Sequence, residues 1–170
     1  MDIIKAINSR RSIRKYTAAP VDDETIIAIL KAGMYAPSAM NKQPWEFIVF
    51  NDEKKIRELI KVHPSSKMLA GAARAILVCC DMNRVHDPGY MPVDCSAAVQ
   101  NILLAAHGLG LGACWVGIHP RQERKDLMTK LFSLPGNIEP FAVISLGHPD
   151  ETKETPERFY PGKIRWESGS

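Results

Sequence analysis

No apolar run in the 170-residue chain approaches the ~20 residues that a membrane-spanning helix requires. No C-x-x-C pair occurs, and no Cys/His spacing reads as a zinc site. The four cysteines are Cys79, Cys80, Cys95 and Cys114, and the first two sit inside the apolar run Ala75–Cys80, where a thiol behaves as a small hydrophobe. The five histidines show no i, i+4 spacing and no H-E-x-x-H. There is no G-x-S-x-G elbow for a hydrolase and no G-x-x-x-x-G-K-[ST] loop for an NTPase. Gly108, Gly110 and Gly112 follow a helix and precede a strand, the reverse of a dinucleotide fingerprint, so they read as a helix stop and a packing turn. A net charge of +3 is too small to argue for a nucleic-acid or membrane partner. Met1 is expected to start the domain without an export signal, and reduced thiols then place the protein in the cytoplasm.

What remains is ordinary globular composition, 45% hydrophobic and 24% charged, which at this length suits one domain over residues 1–170 with a core needing no disulfides. Two short segments stand out. Arg10-Arg11-Ser12-Ile13-Arg14 packs three guanidinium groups and a hydroxyl into five residues. Arginine is planar, permanently charged and forked, which suits phosphate. Ala36-Pro37-Ser38-Ala39-Met40-Asn41-Lys42-Gln43-Pro44-Trp45 is a proline-bounded loop with two side-chain amides, each offering a donor and an acceptor to a heterocycle edge. Taken singly, the first also fits a solvated helix end and the second an ordinary turn. Together they suggest a phosphorylated aromatic cofactor.

Periodicity and capping residues place the other elements. Asp2 caps a helix with Ile3, Ile4 and Ile7 on one face, and Asp22 opens a second whose apolar face is Ile26, Ile27, Leu30 and Met34. Phe47–Phe50 and Ala75–Cys80 read as buried strands, with a helix capped by Asp52 between them. Residues 82–92 read as a loop. A small-residue helix from about Asp94 to Leu109 is expected to be buried, followed by a strand over Ala113–Ile118, a helix over Gln122–Phe132 and a strand over Phe141–Leu146. The tail from His148 is polar, but Phe159, Tyr160, Ile164 and Trp166 predict that it docks.

The two opening segments resemble the signature of the FMN-dependent nitroreductase family. The resemblance continues through Asp94–Ala106, Gly108–Gly117, Pro140–Pro149 and the basic tail residues Arg158, Lys163 and Arg165. It implies an α+β, three-layer sandwich with a central mixed sheet flanked by helices, and an intertwined homodimer with FMN at the subunit interface. By position, Arg10, Lys163 and Arg165 are expected to hold the phosphate, with Arg11 and Ser12 nearby and Arg14 near the N1/O2 edge of the ring. Pro37, Ser38, Ala39, Asn41 and Gln43 are expected to contact the ring from the other subunit, and the backbone of Val116 and Gly117 to face N5 and O4. Lys67 is a weaker candidate. Ala39 stands where many members carry a second serine. The implied activity is hydride transfer from NAD(P)H through FMN to nitroaromatic, quinone or similar acceptors by a ping-pong mechanism, with no side-chain acid or base and no metal. The alternatives are specialised flavin chemistry on the same fold, such as dehalogenation, flavin cleavage or azoline oxidation, and non-catalytic flavin binding.

Overall fold

The computed structural model describes residues 2–167; Met1 and the last three residues of the expected domain lie outside the described residues. Nine principal elements follow in order: α1 (Ile3–Ser9), α2 (Asp23–Met34), β1 (Trp45–Phe50), α3 (Glu53–Val62), β2 (Arg74–Asp81), α4 (Met91–Gly108), β3 (Gly112–Gly117), α5 (Gln122–Phe132) and β4 (Ile138–Gly147). Short 3₁₀ turns occupy Ala39–Asn41, Pro64–Gly71, Pro88–Tyr90 and Pro161–Lys163.

Helix starts follow the expected chemistry. The Asp2, Asp22 and Asp52 carboxylates accept from the backbone N–H of Ile4, Thr25 and Lys55, at 2.9, 2.7 and 3.0 Å. These bonds hold the Asp22 and Asp52 carboxyls below the usual carboxylate range. α4 begins three residues earlier than expected, because Pro92 falls in its first turn, where its missing N–H has no intrahelical partner to lose. It ends at Gly108; Gly110, at φ 79°, and the Leu111 N–H to Ala106 O bond of 2.8 Å close the turn.

The strands form one sheet in the order β1-β2-β4-β3. Every pairing is antiparallel, and among the described residues parallel pairing is confined to the isolated bridge Ser12–Ala113. The expected mixed sheet is corrected to an antiparallel one. The link from β1 to β2 has two legs, α3 and the turn Pro64–Gly71, which return the chain to the end of the sheet it left; a parallel neighbour needs a single crossover.

Strand β2 separates two cores. Ile76, Val78 and Cys80 face a cluster with Ile29 of α2 and Val99 and Ile102 of α4. Ala75, Leu77 and Cys79 face a cluster with Leu59 of α3 and Met128 of α5. A sheet covered on both faces by helices is the three-layer arrangement expected.

The buried face of α2 differs from expectation. Ile26, Ile29 and Gly33 face inward, whereas Ile27 and Met34 are half exposed. Gly33 sets this rotation, since a β-carbon there would lie 2.8 Å from Ile102 Cγ1. Asn101 locks the contact by donating to Ala32 O at 3.0 Å.

Candidate functional site

Arg10 caps the C-terminus of α1, and its N–H donates to Ala6 O. The chain then runs alongside the start of β3: Ile13 N–H donates to Ala113 O at 3.0 Å. Close approach is possible because residue 112 is glycine; a β-carbon there would meet Ile13 Cγ2 at 2.7 Å. Sequence neighbours of the arginine cluster are thereby anchored to the sheet.

Arg10 and Arg11 line a cleft of about 720 Å³ with Gln100 of α4 and the tail residues Glu157, Arg158 and Phe159. Neither Arg10 nor Arg158 has a carboxylate within ion-pair distance among the described residues. Glu157 lines the cleft, but its Oε1 accepts from the backbone N–H of Arg158 and Phe159. Burial, and then the nearby Arg11 and Arg158 charges, lower the Arg10 guanidinium from its ordinary value. Arg10, Arg11 and Arg158 outnumber the single carboxylate of Glu157 in the lining, and net positive charge in a cleft favours binding an anion.

Arg11 has a different local task. Its guanidinium donates to three backbone carbonyls, Arg10 O at 2.6 Å, Asn8 O at 2.9 Å and Glu154 O at 3.1 Å. It therefore ties the tail to the end of α1. Arg14 N–H donates to Glu151 Oε1 at 2.6 Å, a second tie to the same segment. Ser12 makes the bridge to Ala113.

The amide loop is held from α4. Ala39 N–H donates at 2.9 Å to Oδ1 of Asp94, which is buried in the first turn of that helix. The other oxygen, Oδ2, is buried without a partner. Ser38 Oγ accepts from Gln43 N–H at 2.8 Å, closing the loop on itself. Met40, Asn41 and Gln43 all have left-handed backbone, at φ 50°, 53° and 47°. Three such non-glycine residues within four positions hold the loop in a costly conformation, a pattern concentrated at ligand-binding sites. Pro37 precedes it.

Val116 is buried in the second core at the end of β3. The Gly117 carbonyl accepts from Arg124 Nη1 at 2.9 Å, so within this chain that oxygen is engaged. Buried His63 lies near the same strand end, and burial followed by the Arg124 charge lowers its imidazole.

The single chain brings Arg10 and Arg11 together with Arg158, and groups Pro37, Ser38, Ala39, Asn41 and Gln43 around Asp94. It does not join those two groups: no residue from 37 to 43 lines the Arg10 cleft. Lys163 and Arg165 lie on the exposed tail and do not line it either; Lys163 Nζ sits 4.9 Å from the Tyr160 ring centre. Lys67 is exposed on the 3₁₀ turn before β2. Sequence reading missed Asp94 as the anchor of the loop, because its partner lies 55 residues away.

Comparisons with known proteins fit this arrangement. The nitroreductase family profile matches residues 7–82 and 64–148. A Methanothermobacter thermautotrophicus protein, provisionally named NADH dehydrogenase/NAD(P)H nitroreductase, is 46% identical over 167 residues, covering 98% of this chain and 87% of its own. A Parabacteroides distasonis crystal structure with the same provisional name superposes with a TM-score of 0.92 at 35% identity, over 98% of each chain. A nitroreductase crystallised with FMN, from Desulfovibrio desulfuricans, superposes with a TM-score of 0.86 at 34% identity, over 100% of this chain and 99% of its own. With its arginine segment laid on β3 and its amide loop hung from α4, the chain belongs to the nitroreductase family.

Proposed function

We propose that the protein is an NAD(P)H-dependent flavin oxidoreductase that holds FMN at a site completed by a second copy of the chain. The carrying observation is the cleft with Arg10 and Arg158, where two guanidinium groups face one space without a paired carboxylate. A terminal phosphate complements the charge of this cleft. The strained amide loop, held by Asp94 Oδ1, fits the ring end of the same cofactor.

In this reading Arg10 holds the phosphate, with Arg11 adding charge while it braces the tail, and Ser12 lies nearby. Lys163 and Arg165 reach the phosphate from the partner's tail. Pro37, Ser38, Ala39, Asn41 and Gln43 present the loop to the ring, Arg14 places positive charge near its N1/O2 edge, and the end of β3 at Val116 and Gly117 flanks it. Lys67 is a further candidate, for a ring or ribityl contact. When bound, FMN would supply the redox chemistry, hydride transfer between NAD(P)H and a nitroaromatic, quinone or similar acceptor in alternating half-reactions. The chain needs no acid or base of its own for that transfer; its part is to bind, orient and tune.

Separation of the two residue groups within one chain supports the dimer. So does the exposed apolar row Ile3, Ile4 and Ile7 on α1, together with Val93 and Leu109 on α4 and Trp166 on the tail. Patches of this kind mark interaction surfaces.

Arg10→Ala tests the cofactor site. A charge-assisted bond to phosphate contributes about 1.5–3 kcal/mol, so FMN affinity should fall roughly tenfold or more. Fluorescence titration of the apoprotein with FMN measures this. Wild-type affinity in the variant contradicts the phosphate assignment.

A further inference from the structure

A second cationic cleft adjoins the amide loop, and of its lining only Asn41 belongs to the proposed flavin site. It encloses about 400 Å³ and is lined by Asn41, Lys42, Asn83, Arg84, Val85 and His86. It shares no lining residue with the Arg10 cleft. We propose that this cleft receives the phosphate-bearing part of the pyridine dinucleotide reductant. The proposal rests on the oxidoreductase reading above and deepens it, by naming where the reductant's charge is recognised.

The electrostatics are one-sided. Lys42 and Arg84 are exposed and have no carboxylate within ion-pair distance among the described residues. No acidic residue lines the cleft. The neighbouring acids Asp81 and Asp87 flank the cleft without lining it, and each turns one oxygen to other donors. Asp81 Oδ1 accepts from Asn83 N–H at 3.0 Å and from Asn137 Nδ2 at 2.8 Å, and Asp87 Oδ1 accepts from Gly89 N–H at 2.8 Å. A forked guanidinium and an ammonium facing one small space suit a phosphate or pyrophosphate.

The remaining groups suit a nucleotide better than a simple anion. Asn83 offers an amide donor and acceptor of the kind that ribose hydroxyls use. The His86 ring lies 5.9 Å from the Tyr90 ring, tilted by 44°, and both residues are exposed. Such a pair presents aromatic surface on which a base can stack. Met40, exposed on the strained loop, adds apolar surface beside Asn41. Asn41 and Lys42 place the cleft directly beside the loop assigned to the ring, as a dinucleotide that meets the flavin with its nicotinamide and this cleft with its phosphates requires. A nucleic acid is a poor match, because Lys42 and Arg84 are the only permanent cations in the lining and the chain carries only +3.

The test uses the FMN-loaded protein. Calorimetry measures binding of two non-reducing fragments, ADP-ribose and its 2′-phosphate, and steady-state kinetics give KM for NADH and NADPH. Arg84→Glu and Lys42→Glu should each weaken fragment binding and raise the dinucleotide KM by about tenfold or more, while FMN content stays stoichiometric. Both positions are exposed, so folding should survive; Arg84→Gln and Lys42→Gln serve as milder variants. Equal weakening for both fragments assigns the cations to the pyrophosphate. Weakening confined to the phosphorylated fragment assigns them to the 2′-phosphate. Both outcomes support the proposal. Fragment binding and KM within about twofold of wild type in all variants overturn it. Should wild-type protein hold FMN yet oxidise neither dinucleotide, the oxidoreductase reading fails, and calorimetry alone judges the cleft: fragment binding lost in the variants upholds it, and no binding to wild type overturns it.

Discussion

Asp94 shows how one side chain can govern a site that it does not line. Its Oδ1 fixes Ala39 at the start of a loop with three left-handed residues. Each such residue costs about 1–3 kcal/mol, so the loop needs an external hold. Asp94→Ala removes that hold and leaves the Ala39 N–H without its acceptor. FMN affinity should fall roughly tenfold, since bonds to charged acceptors contribute about 1.5–3 kcal/mol. Asp94→Asn keeps an acceptor oxygen and should fall between the two. Fluorescence titration of the apoproteins measures the series; equal affinities would show that the loop holds itself. The arginine, amide and proline patterns that mark the candidate site are legible in the sequence because they act locally. The Asp94–Ala39 pairing is not, for it spans 55 residues and only the fold brings the two together.

At the scale of elements, helix and strand identity followed from periodicity and caps, whereas the rotation of α2 and the sheet's hand of pairing did not. Rotation depends on which residue allows the closest approach, and Gly33 carries no hydrophobic signal. Antiparallel pairing depends on a two-legged connection whose second leg, Pro64–Gly71, has too short a repeat to read. The junction between the arginine segment and β3 rests on Gly112. Gly112→Ala places a β-carbon 2.7 Å from Ile13 Cγ2 and 2.8 Å from Ile13 Cβ, and neither atom sits at the end of a flexible side chain. Overpacking of this kind costs about 1–3 kcal/mol, and each kcal/mol lowers Tm by roughly 2–4 °C at this chain length. Gly136→Ala meets no heavy atom within 4 Å and is the matched control. Thermal melts that coincide for the two variants would contradict the packing argument.

For the whole molecule, the decisive element is the tail. Its first part is fixed to the body by Asp150 N–H to Lys15 O and Thr17 N–H to His148 O, both 2.9 Å. Beyond Glu154 the aromatic residues Phe159, Tyr160 and Trp166 are exposed, at 66%, 57% and 90%. Docking was expected from their apolarity; within the single chain only the anchored stretch docks, and the proposed dimer assigns the exposed remainder to the partner. Deleting residues from Thr155 onward removes Arg158, Lys163 and Arg165 together with that apolar surface. Loss of both dimerisation and FMN is the expected result, measured by light scattering and flavin content. A folded truncated dimer with stoichiometric FMN would contradict the shared-site account.

The central claim, that this chain is an NAD(P)H-dependent FMN enzyme, is tested most directly by one anaerobic spectrum. Freshly purified protein should be yellow, with heat-released cofactor that comigrates with FMN. Adding NADH or NADPH without oxygen should abolish the visible flavin band, and an added quinone or nitroaromatic should restore it. A colourless protein that takes up no FMN, or a bound flavin that neither dinucleotide bleaches, would contradict the account.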